Sequence, residues 1–261
     1  MSAPRQTAGL LVEQRDAVAW LRINRPAKRN ALDAGIIRAL YDALNALPEQ
    51  TRAIVLSGEG EHFCAGLDLN EAVEMHAAEG LFHSRLWQRA FDAIENASAP
   101  VIAVIQGAVV GGGLELAAAA HLRVAESTAY YALPEGLRGI FTGGGGAVRI
   151  PRLIGLARMT DMLLTGRVFS AEEGQQMALS NYLTKAGEGL ALAFALAERV
   201  ARNAPLSNYA VLQALPRIAR TEGEAGYLLE ALMAAVAQGD AEAKARLRDF
   251  LAGRAEKAGP S

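Results

Sequence analysis

Two short segments, RAIVLSG (52–58) and PVIAVIQG (100–107), are built mainly from apolar side chains and each ends at a glycine. Strands of that kind are covered on both faces, as in a parallel sheet packed between helices. The neighbouring stretches supply such helices. ALDAGIIRALYDALNAL (31–47) repeats apolar residues at helical spacing, with Asp33 as the expected N-cap. A longer helix is expected from about Asn70 to Asn96. GLLVE (9–13) and AVAWLRIN (17–24) read as strands joined by a polar turn at Gln14–Asp16, and LRVAES (122–127) and TAYYAL (128–133) as two more. From about Arg152 onward the pattern is helical, with Pro205 in NAPLSN (203–208) starting a new helix. This order predicts an α/β core, residues 1–188, followed by a helical C-terminal region, residues 189–261, with the break at Gly187–Gly189.

Composition narrows the function classes. A chain of 261 residues with 51% apolar and 21% charged residues can bury a sizeable core without staples. Its formal net charge of −2 gives no global attraction to nucleic acid or to an anionic membrane, so neither is an expected partner. The single cysteine, Cys64, excludes an internal disulfide framework and suits a reducing compartment. No apolar run reaches the roughly 18 residues of a membrane span. The opening MSAPRQTAG lacks the apolar centre of a secretory signal, and a cytoplasmic location is expected. Only the last few residues read as disordered.

Several familiar motifs are missing. Neither Gly111–Gly113 nor Gly143–Gly146 forms G-x-G-x-x-G, and the chain contains neither a P-loop nor G-x-S-x-G. The histidines, His62, His76, His83 and His121, make no H-x-x-x-H pair, so no metal site is expected. His76 and His83 share a helix face that reads as solvated. Cys64 reads as a small, partly buried residue rather than a nucleophile.

VVGGGLELAAAA (109–120) poses a sharper question, because the carboxylate of Glu115 stands inside a glycine-led apolar helix. Glycines ahead of a helix expose N–H groups that suit an anion or a developing oxyanion, although they also allow tight packing on a strand. HFCAGLDL (62–69) offers a second small-residue turn, where Asp68 could cap the next helix. Two N–H groups from separate turns, aimed at one point, would form an oxyanion hole. Glu115 can be explained by the helix dipole, and Glu135 in LPEG (133–136) as an exposed turn. As a pair beside apolar, glycine-rich elements they form a candidate acid–base couple, with desolvation raising each pKa toward neutrality.

The ordered set LRINRPAKRNALD (21–33), FCAGLDL (63–69), PVIAVIQGAVVGGGLELAAAAHLRVA (100–125) and the run from LPEG to QMAL (133–179) resembles the enoyl-CoA hydratase/isomerase family, the crotonase superfamily. That resemblance implies a spiral of ββα turns with a helical C-terminal trimerisation region, assembling as a homotrimer or a hexamer. It implies an acyl-CoA thioester substrate and no separate cofactor, coenzyme A being part of the substrate. Carried over by position, Ala65 and Gly112 supply the oxyanion N–H groups, and Glu115 and Glu135 are the catalytic carboxyls. Members with both glutamates are typically hydratases, which makes hydration of a 2-enoyl-CoA the expected reaction. Alternatives within the resemblance are a hydratase-lyase acting on a hydroxycinnamoyl-CoA or methylthioacryloyl-CoA type of substrate, an isomerase, and a non-enzymatic RNA-binding relative. Lys28, Arg29 and Asp68 are expected around coenzyme A, and Gly136, Phe141 and Phe250 around the acyl group. Thr142 stands where the family usually has proline, and Gly136 suggests extra room beside the second glutamate.

Overall fold

The computed structural model describes residues 5–71 and 73–254; the readings made for residues 1–4 and for the last seven residues, 255–261, lie outside it. The chain divides into two compact units, Met1–Ala201 and Arg202–Ser261.

In the first unit a seven-stranded sheet runs in the order β1-β2-β3-β4-β5-β7-β10. Its members are β1 (Arg5–Thr7), β2 (Leu10–Arg15), β3 (Val18–Ile23), β4 (Ala53–Gly58), β5 (Val101–Ile105), β7 (Leu122–Glu126) and β10 (Tyr182–Thr184). The first two pairings are antiparallel and those from β3 onward are parallel. Parallel neighbours need long crossovers, and each crossover here lays down one more extended piece in a second ladder. Leu32 bridges Leu67, Cys64 bridges Val109, and β6 (Ala108–Val110) pairs in parallel with β8 (Tyr130–Ala132), which carries β9 (Phe169–Ser170) at its edge. Strand, short strand and helix repeat in this way, which is the ββα spiral.

Helices α1 (Ala34–Asn45), α2 (Ala77–Glu95) and α3 (Gly112–Ala119) fill the interior of the spiral. Asp33 caps α1 as expected, its carboxylate accepting the Ile36 N–H at 2.9 Å. The helix expected over 70–96 is shorter. Leu69–Glu71 forms a 3-10 turn, and α2 begins after His76, whose side chain forms a capping box with Glu79. The main core gathers Leu21, Ile37, Leu56, Phe91, Ile105 and Leu116. Every residue of β4 is buried, as its composition requires. The opposite sheet face is closed by α7 (Gly189–Ala201), whose Ala193 and Ala197 pack with Trp20, Val55, Val104 and Val124. The boundary expected at Gly189 therefore falls one helix early. An alanine-rich helix reads like the helical tail, but its small side chains are what let it lie against the sheet. Around the glycine loop, α4 (Gly146–Ile154), α5 (Leu156–Thr165) and α6 (Ala171–Gln176) complete the unit.

The second unit is helical: α8 (Pro205–Tyr209) opens with Pro205 at its first turn, a π-helical segment covers Ala210–Ala214, and α9 (Leu215–Ile218), α10 (Gly223–Gly239) and α11 (Ala241–Leu251) follow. Among the described residues no helix is long and apolar enough to cross a membrane.

Candidate active site

A cavity of about 640 Å³ in the first unit brings Leu67, Trp87, Gly112, Glu115, Glu135 and Phe141 to one surface. Glu115 lies in the first turn of α3 and is 3% exposed. It is not a cap for its own helix. Its Oε1 accepts the N–H groups of Gly144 at 3.0 Å and Gly146 at 2.7 Å, both from the distant glycine run. A Cβ on Gly146 would lie 2.6 Å from that oxygen, so only glycine permits the approach. Burial raises the Glu115 pKa, and the backbone donors of Gly146, Gly144 and Gly143 with the Arg149 charge oppose the rise.

Glu135 closes the other side of the cavity and is 6% exposed, not an open turn residue. Its Oε2 is buried and finds no hydrogen-bond partner among the described residues. Burial, with the Glu115 charge adding to it, pushes its pKa up to about 7. The two carboxyls therefore differ in kind. Burial raises both, but at Glu115 three backbone donors and the Arg149 charge oppose the rise, whereas at Glu135 only its own backbone N–H and Arg138 do.

The Ala65 N–H, expected as an oxyanion donor, is engaged within the chain. The Ala65 N–H already donates to the Arg29 carbonyl at 2.9 Å, and the Gly66 N–H points to the Cys64 Sγ at 3.3 Å. Leu67 is the next residue along. Its own carbonyl and N–H take no part in the bridge to Leu32, which uses the Gly66 carbonyl and the Asp68 N–H. Among the described residues neither the Leu67 nor the Gly112 N–H has an acceptor, and both residues line the cavity. The Leu67 nitrogen lies 3.5 Å from where a Gly112 Cβ would be. Gly66 makes this turn possible with φ of +89°, and a Cβ there would meet the Val110 carbonyl oxygen at 2.6 Å. Leu67 and Gly112 thus each bring an N–H without an acceptor among the described residues, and the donor lies two residues beyond Ala65 because the Ala65 and Gly66 amides are already engaged.

The remaining expected site residues separate. Asp68 is not free for a ligand: Arg25 reaches its Oδ2 at 2.9 Å and Lys28 at 2.8 Å, and Lys28 foremost holds its pKa well below the usual carboxylate range. It ties the RPAKRN loop to the turn behind the cavity. Lys28 and Arg29 are both exposed on that loop and outside the cavity lining. Phe141 is at the cavity, with Ile140 beside it. Gly136 provides no extra room there. A Cβ would lie 2.2 Å from the Leu163 carbonyl oxygen, and the residue borders a separate apolar cavity of about 380 Å³ that also touches Phe141. Phe250 stands on α11 in the second unit, half exposed.

Reading the sequence missed three contributors, Leu67, Trp87 and His83. His83 was expected on a solvated face, yet its side chain is only 15% exposed and lines the cavity, its Nε2 3.6 Å from Glu71. Its ring packs on Trp87 one helical turn later, with centroids 5.7 Å apart, and that i, i+4 aromatic pair was the available signal. Of the other histidines, His76 also lines the cavity, and His62 and His121 bond only backbone. His76 caps α2, His62 accepts the Ala108 N–H, and both ring nitrogens of His121 meet backbone at Val101 and Glu95. Cys64 is fully buried and its thiol is pushed up to about 12 by desolvation, which removes it as a nucleophile. Among the described residues no group of three or more histidine, cysteine or acidic side chains could hold a metal ion.

The family profile of enoyl-CoA hydratase/isomerase matches residues 13–257. This chain belongs to the enoyl-CoA hydratase/isomerase family. A protein of solved structure from Rhodopseudomonas palustris CGA009 superposes with a TM-score of 0.92 at 57% identity, covering 94% of this chain and 95% of that one. The enoyl-CoA hydratase from Bacillus anthracis superposes with a TM-score of 0.89 at 28% identity, over 95% and 98% of the two chains. The 2,3-dehydroadipyl-CoA hydratase of Escherichia coli (strain K12) is 34% identical over 225 residues, 85% of this chain and 87% of that protein. This member of the crotonase superfamily falls in its hydratase-like branch, and its spiral core with helical C-terminal region is the architecture of the family.

Proposed function

We propose that this chain hydrates a 2-enoyl-CoA thioester, adding water across the 2,3 double bond. One observation carries the reading: two buried carboxyls with opposite surroundings share a cavity with two unpaired N–H groups. Water attacks C3, and charge develops on the thioester oxygen. The Leu67 and Gly112 N–H groups stabilise that charge, and each such donor contributes about 3–4 kcal/mol to a transition state of this type. Glu115, whose backbone donors oppose its protonation, orients the water as a carboxylate and takes its proton. Glu135, held protonated near neutrality, gives a proton to C2. The product is a 3-hydroxyacyl-CoA, and proton exchange between the carboxyls restores the starting state.

The acyl-CoA is a substrate, and no further cofactor enters the reaction. Arg29 and Lys28 offer exposed charges to the coenzyme A phosphates. An ammonium has three donors, so Lys28 can serve there while keeping Asp68. The assembly is a homotrimer, or a hexamer of two trimers. Exposed Tyr227, Leu228, Leu232 and Val236 on α10 offer apolar surface for it. We place the protein in the cytoplasm.

The test is a spectrophotometric screen of enoyl-CoA thioesters that differ in chain length and substituent, with the product identified by mass spectrometry. A stable 3-hydroxyacyl-CoA is expected. Release of an aldehyde or thiol would point instead to a hydratase-lyase, and no turnover of any enoyl-CoA would overturn the proposal.

A further inference from the structure

A buried cation lies behind the loop that holds Glu115, and the reaction scheme above does not use it. Arg149 on α4 is 7% exposed. Its Nε donates to Glu95 Oε2 at 2.8 Å, and Nη2 donates to Asp92 Oδ1. The third nitrogen, Nη1, donates to the Gly144 carbonyl at 3.2 Å. That carbonyl stands between the two N–H groups, of Gly144 and Gly146, that converge on Glu115 Oε1. The guanidinium fits under the loop because position 145 is glycine with φ of +100°; a Cβ there would lie 2.3 Å from Nη1. A planar fork spreads its donors over three nitrogens and so holds the loop and both α2 carboxylates from fixed directions, whereas an ammonium offers its three donors from one point.

We propose that Arg149 is a positioning residue for Glu115. It fixes the Gly144–Gly146 loop so that both backbone donors meet the carboxylate, and its charge favours the ionised form. Asp92 and Glu95 set how much of that charge reaches Glu115. The inference rests on the role of Glu115 as base in the proposed hydration.

The charged surroundings are defined. Glu135 faces Glu115 across the cavity, with Arg138 near Glu135, and His76 and His83 line the same cavity. Arg149 contributes from α4, backed by Asp92 and Glu95, and His121 bonds the Glu95 carbonyl. Arg85 and Arg89 on α2 and Arg152 on α4 are exposed.

The experiment follows the Glu115 carboxyl directly by ¹³C NMR of the full-length protein labelled at glutamate Cδ, with Glu115→Gln identifying the signal. Arg149→Met should raise its titration midpoint by about one pH unit, since it removes a nearby opposite charge and loosens two donors. Glu95→Gln should lower the midpoint, because Arg149 then has one counter-charge fewer. A merely structural arginine would not give shifts of opposite sign. With crotonyl-CoA, Arg149→Met should lower kcat by about 10- to 100-fold while KM changes less. Should Arg149→Met fail to fold, Glu95→Gln alone decides, since that side chain is partly exposed. An unmoved midpoint in Glu95→Gln, or a fall in Arg149→Met, overturns the inference. Absence of any hydratase activity in the wild type would defeat the proposed function instead, and the NMR titration would still report on Arg149.

Discussion

Glu115 Oε1 receives the backbone N–H of Gly146 at 2.7 Å, and only the missing side chain of Gly146 allows that distance. The contact ties a carboxylate in the third turn of the spiral to a loop some thirty residues later in the chain. It also separates the two glutamates chemically, because Glu135 Oε2 has no comparable donor among the described residues.

Replacing either carboxyl by its amide removes one half of the acid–base pair without changing its size. Glu115→Gln and Glu135→Gln should each lower kcat for hydration by about 10²- to 10⁴-fold. Binding of coenzyme A, measured by calorimetry, should change little. Turnover close to wild type in either variant would break the two-glutamate assignment.

The pH–rate profile should be bell-shaped. In the proposed hydration Glu115 acts as a carboxylate, so the rate falls toward acid as it gains a proton, above the ordinary value of 4.5. In the same proposal Glu135 acts as an acid, so the rate falls as pH rises through about 7. The two limbs belong to the coupled pair rather than to single residues. A plateau of kcat/KM extending well above pH 7 would contradict the assignment of Glu135.

Stability of the free protein should respond to the same group. The fold favours protonated Glu135, so its contribution is fullest below the ordinary 4.5 and is lost as pH rises through about 7. Denaturant midpoints should therefore decline across that window, and Glu135→Gln should flatten the decline. An identical slope in the variant would show that other groups dominate.

The reassigned oxyanion donor can be tested without altering a side chain. Exchanging the Leu67 amide for an ester, by incorporating the α-hydroxy acid, deletes one N–H. The expected loss is about 10²- to 10³-fold in kcat. The same exchange at Ala65 should mainly weaken the tie to the Arg29 carbonyl, seen as a lower melting temperature. The reverse pattern would restore Ala65.

Gly146→Ala places a methyl group 2.6 Å from Glu115 Cγ and Oε1, so one of them has to move. Overpacking of this kind costs about 1–3 kcal/mol, and displacement of the carboxylate should lower kcat at least about tenfold. A crystal structure with an undisturbed Glu115 and full activity would remove the loop from the site.

Periodicity and composition in the sequence determined the layers. RAIVLSG and PVIAVIQG lie in the sheet because a strand without polar faces has to be covered twice, and Asp33 caps its helix because the chemistry of capping is local. Glu115 and Glu135 were identifiable as a pair because carboxyls amid apolar, glycine-rich neighbours are unusual at any fold. The tertiary structure decided what depends on direction and distance. Successive amides in 64–68 point different ways, so the free donor is at Leu67 rather than Ala65, and no residue type encodes that. Gly136 is small because the Leu163 carbonyl passes 2.2 Å from its absent Cβ, a contact between segments with no pattern linking them. Alanine-rich α7 joined the sheet, and His83 turned toward the cavity, because burial is settled by what another segment brings opposite. VVGGGLELAAAA thus announced a buried acid, and only the glycine loop folded over it, bonded to Arg149, supplies the donors that oppose its protonation.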